Sequence, residues 1–320
     1  MEIINTVTQG VIEKAAKALR DGYLVAFPTE TVYGLGADAT NEKAVRKIYS
    51  VKGRPKYHPL IVHISSMNIM DKWAVNIPDY AFKLAQTFWP GPMTLILRKN
   101  QVAKDFVTGG QNTIGLRIPD NQIALKLLEE FEKLGGSGVA APSANRFGAI
   151  SPTTAPSVAE ELEKFMEKED LILDGGQCLI GVESSIINCT QENPALLRPG
   201  AIDEEKIQQA TGIKLSSTRS NEEIRVSGSF KSHYAPKARV VLGKDAKLGE
   251  GFIALSHIPT PTGAIRLASP RSVDEYASTL YEALRSGDQI GLSKICVWEP
   301  TGNGLAIAIR DRLARAASGN

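Results

Sequence analysis

Between Phe27 and Ala39 the chain sets three hydroxyls (Thr29, Thr31, Tyr33), a carboxylate (Glu30) and two glycines (Gly34, Gly36) directly after a strand-like run that ends at Pro28. Proline cannot donate to a central sheet ladder, so the strand stops there. Glycine lets a backbone approach a ligand closely or take φ > 0, and α/β proteins bind ligands at loops that leave strand ends. The stretch therefore reads as a polar, glycine-containing binding loop, with a plain hydroxyl-rich turn as the bland alternative.

Cations follow. Lys52 and Arg54 flank Gly53 and are stiffened by Pro55. Arginine offers planar bidentate hydrogen bonds and lysine a point charge, so the pair could hold a polyphosphate; a solvated basic loop is the alternative. No Gly-x-x-x-x-Gly-Lys-Ser/Thr loop occurs, so a nucleotide would not be held by a P-loop. Arg117 lies in a strand-like run, 113–118, where an unpaired guanidinium is costly to bury. It faces solvent, a carboxylate of the protein, or a ligand carboxylate. His58 and His63 are half of the 4 histidines; His63 sits in the apolar run 60–64 and faces core or cleft, and neither has a partner at metal-ligand spacing. Ser143, Asn145, Ser151, Ser184, Ser185 and Arg198 suit a crowded polar cleft, although each serine alone is by default a turn or cap residue. Neither Gly-x-Ser-x-Gly nor a Ser-His-Asp order is present. Any reaction here runs on positioning and electrostatic stabilisation, without a covalent enzyme intermediate.

Elements must carry these groups. Helix patterns cover 11–20, 41–50, 79–88, 122–134 and 157–167, the last with a Ser157/Glu160 capping box. Strand patterns cover 23–27, 60–64, 93–97, 113–118, 138–141, 171–173 and 185–189. This alternation gives an α/β sheet, and the close spacing of some strands makes part of it antiparallel. Residues 216–223 are polar and read as linker. Beyond them, strands at 239–242, 251–255 and 289–297, a helix at 273–285 capped by Ser272/Glu275, and a terminal helix at 305–317 make a second α/β unit without a catalytic constellation of its own.

At 320 residues, with 42% hydrophobic and 22% charged residues, the chain reads as a two-domain globular protein. A net charge of +2 singles out neither nucleic acid nor membrane. Three scattered cysteines, with no C-x-x-C pair, argue against a zinc site or a disulfide framework and suit a reducing compartment. The N-terminus has no secretory pattern, and no apolar stretch is long enough to span a bilayer, so a cytoplasmic location and no membrane partner are expected.

The motifs Lys52-Gly53-Arg54-Pro55, His58-Pro59-Leu60, Val62-His63-Ile64, Trp89-Pro90-Gly91-Pro92-Met93-Thr94, Thr113-Ile114-Gly115-Leu116-Arg117, Ala141-Pro142-Ser143-Ala144-Asn145, Gly181-Val182-Glu183-Ser184-Ser185 and Leu197-Arg198-Pro199-Gly200, with 27–39, occur in the order and spacing of one family. In them the chain closely resembles the YrdC/Sua5 family of threonylcarbamoyl-AMP synthases. His233-Tyr234-Ala235-Pro236 after the linker matches the longer Sua5 type, although Ser227-Gly228-Ser229 stands where some relatives have Pro-Gly-Met.

The resemblance implies a YrdC-like twisted mixed parallel/antiparallel sheet with flanking helices over 1–210. A linker with a His-Tyr-Ala-Pro active-site lid would follow over 211–237, and a small Rossmann-like Sua5 C-terminal domain over 238–320. It implies a nucleotidyltransferase that converts L-threonine, bicarbonate and ATP to L-threonylcarbamoyl-AMP, pyrophosphate and water. That product feeds tRNA N6-threonylcarbamoyladenosine formation by downstream transfer machinery. By resemblance, Thr31, His63, Arg117, Ala141 and Ser184 hold threonine. Lys52, Arg54, His58, Thr113, Ser143, Asn145, Ser151, Arg198 and Tyr234 hold ATP, and Lys52 and Arg54 also serve catalysis. Mg2+ arrives with ATP, and no protein metal site is expected. The alternative is an RNA-binding module using a concave basic face, with tRNA contact; the motifs lack interleaved aromatics for base stacking, which sets it second.

Overall fold

The computed structural model describes residues 1–216, 224–228 and 234–318. Residues 217–223, which are most of the polar stretch read as linker, and His233 of the His-Tyr-Ala-Pro segment therefore lie outside the described residues. Strands β1 (Glu2–Ile4), β2 (Val25–Phe27), β3 (Gly34–Asp38), β4 (Ile61–His63), β5 (Met93–Arg98), β6 (Thr113–Arg117), β7 (Val139–Ala140), β8 (Leu171–Leu173), β9 (Ser185–Asn188) and β10 (Ala195–Arg198) join one sheet in the order β1-β8-β2-β3-β7-β4-β6-β5-β9-β10. Pairs β1–β8, β8–β2, β4–β6 and β5–β9 are parallel and the others antiparallel, the mixture expected from the strand spacing. Helices α1 (Gln9–Arg20), α2 (Glu42–Lys52), α3 (Asp79–Phe88), α4 (Asp105–Thr108), α5 (Gln122–Lys133), α6 (Ala155–Leu162) and α7 (Glu204–Thr211) flank it.

The helices form where cap and apolar stripe agree. Thr8 accepts from Val11 N at the start of α1, whose Ala15, Ala16 and Leu19 bury against Leu127, Leu128 and Phe131 of α5. Asn41 caps α2, which ends at Gly53 with φ +63°, a left-handed C-cap that suits glycine. That turn sends Lys52 and Arg54 back toward the sheet.

Strands β11 (Arg239–Leu242), β12 (Gly251–Ile253), β13 (Ile265–Ala268) and β14 (Lys294–Val297) form a second, all-parallel sheet in the order β11-β14-β12-β13, with helices α8 (Val273–Gln289) and α9 (Leu305–Ala317). The two units share a core: Val32, Ile150 and Val182 of the first pack with Leu280, Leu284, Ile309 and Leu313 of the second. Around it, Arg285 donates to Glu161 at 3.1 Å and to Ile150 O at 3.2 Å, and Ser157 donates to Glu282 at 3.0 Å. Cys178, Cys189 and Cys296 are free, buried thiols. Burial pushes the Cys178 thiol up to about 12, and those of Cys189 and Cys296 upward too.

Four local expectations are corrected. The two glycines after Tyr33 are not in a loop: Gly34–Asp38 is a buried strand paired antiparallel with β2, and only residues 28–33 turn. Helix α6 starts earlier and ends sooner than 157–167, because Thr154 rather than Ser157 caps it and Pro156 fits its first turn. Helix α8 runs on to Gln289, through Gly287, where glycine fits because a β-carbon would meet Ile295 Cδ1 at 2.5 Å. The strand expected at 289–297 is accordingly only Lys294–Val297.

Candidate active site

Strands β4 and β6 pair so that His63 lies directly beside Arg117. Across them stands the 29–33 turn, tied by Thr29 Oγ1 to Thr31 N at 3.1 Å and Val32 N at 3.2 Å. A bridge from Gly34 to Ser143 brings up the 141–145 loop. These segments enclose a cavity of about 50 Å3, whose lining includes Thr29, Thr31, Arg54, His63, Arg117, Ala141, Ser143, Glu183, Ser184, Arg198, Ser227 and Tyr234.

On one side of it, Arg117 Nη2 donates to Glu30 Oε1 at 2.7 Å and Thr31 Oγ1 at 2.9 Å, and Nε to Gly91 O at 3.4 Å. Of the three partners open to Arg117, the carboxylate of the protein is therefore present, as Glu30. Both partners are buried, so the pair is desolvated and depends on its geometry. His63 touches Phe27 edge-on at 6.0 Å, and its Nδ1 is buried without a hydrogen-bond partner among the described residues. Burial, helped by the Arg117 charge, pulls the His63 imidazole down to about 3, so it is neutral at pH 7. Ser184 Oγ shares a 2.8 Å hydrogen bond with Thr94 Oγ1.

On the other side, Arg198 Nε and Nη2 donate to Ser184 O at 3.0 and 2.9 Å, and Nη1 to Ser227 O at 2.9 Å. Arg54 Nη2 donates to Pro59 O at 2.9 Å and Ser227 Oγ at 3.1 Å. The start of the post-linker segment thus bridges the two cavity cations. Burial, with Arg198 nearby, draws Arg54 down to about 10. Tyr234 is buried with φ +62°, a conformation uncommon outside glycine, and its ring stacks on Tyr281 at 5.8 Å.

Not every expected site residue reaches the cavity. Lys52 is fully buried and donates to the Ser143 and Asn145 carbonyls, so it braces the loop that carries Ser143; burial, then Arg54, pulls its ammonium well below the lysine range. Asn145 donates to Arg146 O and Ala149 O at 2.7 and 2.8 Å, and its Oδ1 is buried without a partner among the described residues. Ser151 lies behind the wall and donates to Glu183 Oε1 at 2.6 Å. His58 packs between Tyr57 and Phe147, with its imidazole drawn down to about 4 by burial and the charges of Arg54 and Arg225. Thr113 opens β6 opposite Arg98, outside the lining.

Glu183, Ser227 and Gly228 line the cavity although sequence reasoning assigned none of them a binding role. Glu183 stood inside the Gly181–Ser185 motif, but its ligands come from far along the chain. Tyr281 donates to its Oε2 at 3.0 Å and Arg312 Nε at 2.7 Å. Burial alone would raise this carboxyl, but Arg312, Arg198 and Ser151 outweigh it and hold it at about 2. Among the described residues no group of three His, Cys, Asp or Glu side chains could hold a metal, and no helix is long and apolar enough to cross a membrane.

The Sua5/YciO/YrdC family model, described as Telomere recombination, matches residues 17–200, and the model described as Threonylcarbamoyl-AMP synthase, C-terminal domain, matches residues 202–318. The threonylcarbamoyl-AMP synthase of Pyrococcus abyssi is 40% identical over 325 residues, covering 96% of this chain and 94% of its own. That of Bacillus subtilis is 37% identical over 329 residues, covering 96% and 93%. The crystal structure of P. abyssi Sua5 complexed with L-threonine matches with a TM-score of 0.87 at 36% identity, over 100% of this chain and 97% of that one.

Proposed function

The chain belongs to the Sua5/YciO/YrdC family, and on that premise we propose that it is a threonylcarbamoyl-AMP synthase, making L-threonylcarbamoyl-AMP, pyrophosphate and water from L-threonine, bicarbonate and ATP. One observation carries the reading at the level of side chains. A single cavity joins a carboxylate-complementary side (Thr31, His63, Arg117, Ala141, Ser184) to a phosphate-complementary side (Arg54, Ser143, Arg198) beneath Tyr234.

The threonine amine takes up bicarbonate or CO2 to give a carbamate, whose oxygen attacks the α-phosphorus of ATP and expels pyrophosphate. Arg117 holds the threonine carboxylate while Glu30 keeps the guanidinium in place. Arg54 and Arg198 offset charge on the triphosphate, and Mg2+ enters as part of the Mg–ATP substrate. Lys52, Asn145, Ser151, Thr113 and His58 support the nucleotide side from behind the lining. A cavity of about 50 Å3 has room for a few waters only, so ATP enters as Ser227 gives up its bonds to Arg54 and Arg198. Tyr234 then covers the nucleotide and keeps water from the mixed anhydride. The working division is a catalytic domain over 1–210, a linker over 211–237 and a C-terminal domain over 238–320. The protein acts in the cytoplasm, upstream of the machinery that transfers the threonylcarbamoyl group to tRNA.

Pyrophosphate release by the purified protein, with threonine and bicarbonate each supplied or withheld, tests this. Release that needs both, with an AMP adduct seen by mass spectrometry, is the expected result. Release indifferent to threonine overturns the substrate. No release, alongside tRNA affinity that falls steeply with salt, replaces the reading with an RNA-binding module.

A further inference from the structure

The C-terminal unit sends two side chains into the wall of this cavity. Arg312, on α9, has a side chain with 0% exposure. Its Nε donates to Glu183 Oε2 at 2.7 Å, its Nη2 to Glu183 O at 3.4 Å and Pro199 O at 3.0 Å, and its Nη1 to Asp311 Oδ2 at 2.6 Å. The two carbonyls it grips belong to the residues next to Ser184 and Arg198, both in the lining. Tyr281, on α8, donates to the same carboxylate at 3.0 Å. The ring of Tyr234 rests on both: stacked on Tyr281 at 22° between planes, with the Arg312 guanidinium 5.4 Å from its centroid. The other Glu183 oxygen accepts from Ser151.

Holding the units together does not require this arrangement, because their shared apolar core already does so. A buried ion pair adds little net stability over apolar residues of the same shape. What the fork of Arg312 does supply is direction. One planar group fixes a carboxylate, two backbone carbonyls and an aromatic ring relative to one another. Pro199 and Tyr234 adjoin the half of the cavity that carries Arg198, and Glu183 reaches that half through Ser184, whose carbonyl accepts from Arg198.

We infer that Arg312, contributed by the C-terminal unit, is a positioning residue for the nucleotide half of the site, acting through Glu183 and Tyr234. The inference rests on the synthase reading above. It makes the site incomplete without the C-terminal unit, although that unit contributes no group to the chemistry.

The test uses four full-length proteins: wild type, Arg312→Lys, Arg312→Met, and Arg312→Met combined with Glu183→Gln, which leaves neither charge buried alone. Pyrophosphate release is followed with ATP and threonine varied separately, beside the thermal midpoint and hydrogen exchange over 234–238. The double variant is expected to keep a midpoint near wild type while its KM for ATP rises about tenfold or more and its KM for threonine changes less than about threefold. Exchange over 234–238 quickens by about tenfold in the same protein. Arg312→Lys, which keeps the charge without the fork, falls between it and wild type. A double variant with wild-type KM for ATP and unchanged exchange overturns the inference. So do both KM values moving together with a falling midpoint, which would make Arg312 a stability residue only. If wild-type release ignores threonine, the synthase reading falls separately, and exchange over 234–238 still decides whether Arg312 seats Tyr234.

Discussion

Nη1 of Arg117 meets no acceptor among the described residues, while Nη2 serves Glu30 and Thr31. One guanidinium can therefore keep its internal partner and still take a ligand carboxylate, so the two readings of this residue are compatible. An ammonium has no second arm. Arg117→Lys should raise the KM for threonine about tenfold and leave that for ATP nearly unchanged, measured by pyrophosphate release. Beside it, His63 has a folded-state value of about 3 against an ordinary 6.5. The unfolded chain thus takes the proton first: the stability His63 contributes is complete above pH 6.5 and is lost as pH falls toward 3. Its imidazole resonance should stay flat between about pH 5 and 8; a midpoint near the ordinary value would show a solvated, non-cavity histidine. Sequence drew attention to both, as a cation and an imidazole inside apolar strands, but only the family resemblance assigned them to the threonine side. Glu183 drew no such attention, since what makes it special is a guanidinium 129 positions away.

Elements were legible where one signal dominated. Helix α3 appears with the bounds its pattern gave, and the Ser272 cap of α8 bonds Glu275 N at 3.1 Å. Strand β3 was hidden by composition: Gly34 and Gly36 read as loop residues, yet a β-carbon on Gly36 would lie 2.8 Å from both Phe27 and Val139. Glycine there serves packing between neighbouring strands, a need visible only once the sheet is assembled. Gly36→Ala is expected to cost about 1–3 kcal/mol by overpacking, read from chemical denaturation; a wild-type midpoint would show that Phe27 and Val139 yield freely. Thr154→Ala should cost about 1 kcal/mol through the lost cap of α6, read by the same denaturation. Strands β1 and β13 went unread because neither is a buried apolar run, unlike the equally short Leu171–Leu173 of β8.

At the scale of the whole molecule, the units meet through apolar packing ringed by charge. Glu183 is the buried anion of that interface, with a folded value of about 2 against an ordinary 4.5. The stability it contributes is complete above pH 4.5 and disappears as pH falls toward 2. Melting midpoints should drop through this window in the wild type and drop less in the Glu183→Gln, Arg312→Met double variant. Equal slopes would place the acid sensitivity elsewhere.

The three buried thiols give this architecture a set of internal clocks. Cys189 lies in the core of the large sheet and Cys296 in the small one. Cys178 shares the first unit's core with Cys189 and lies in the loop whose Gln177 and Gly181 press on α8. Each is shielded and held in its unreactive protonated form, so an alkylating reagent can reach it only through an opening of the surrounding structure. The order in which the three are labelled would therefore time the separation of the units against the unfolding of either one, with no probe added to the chain.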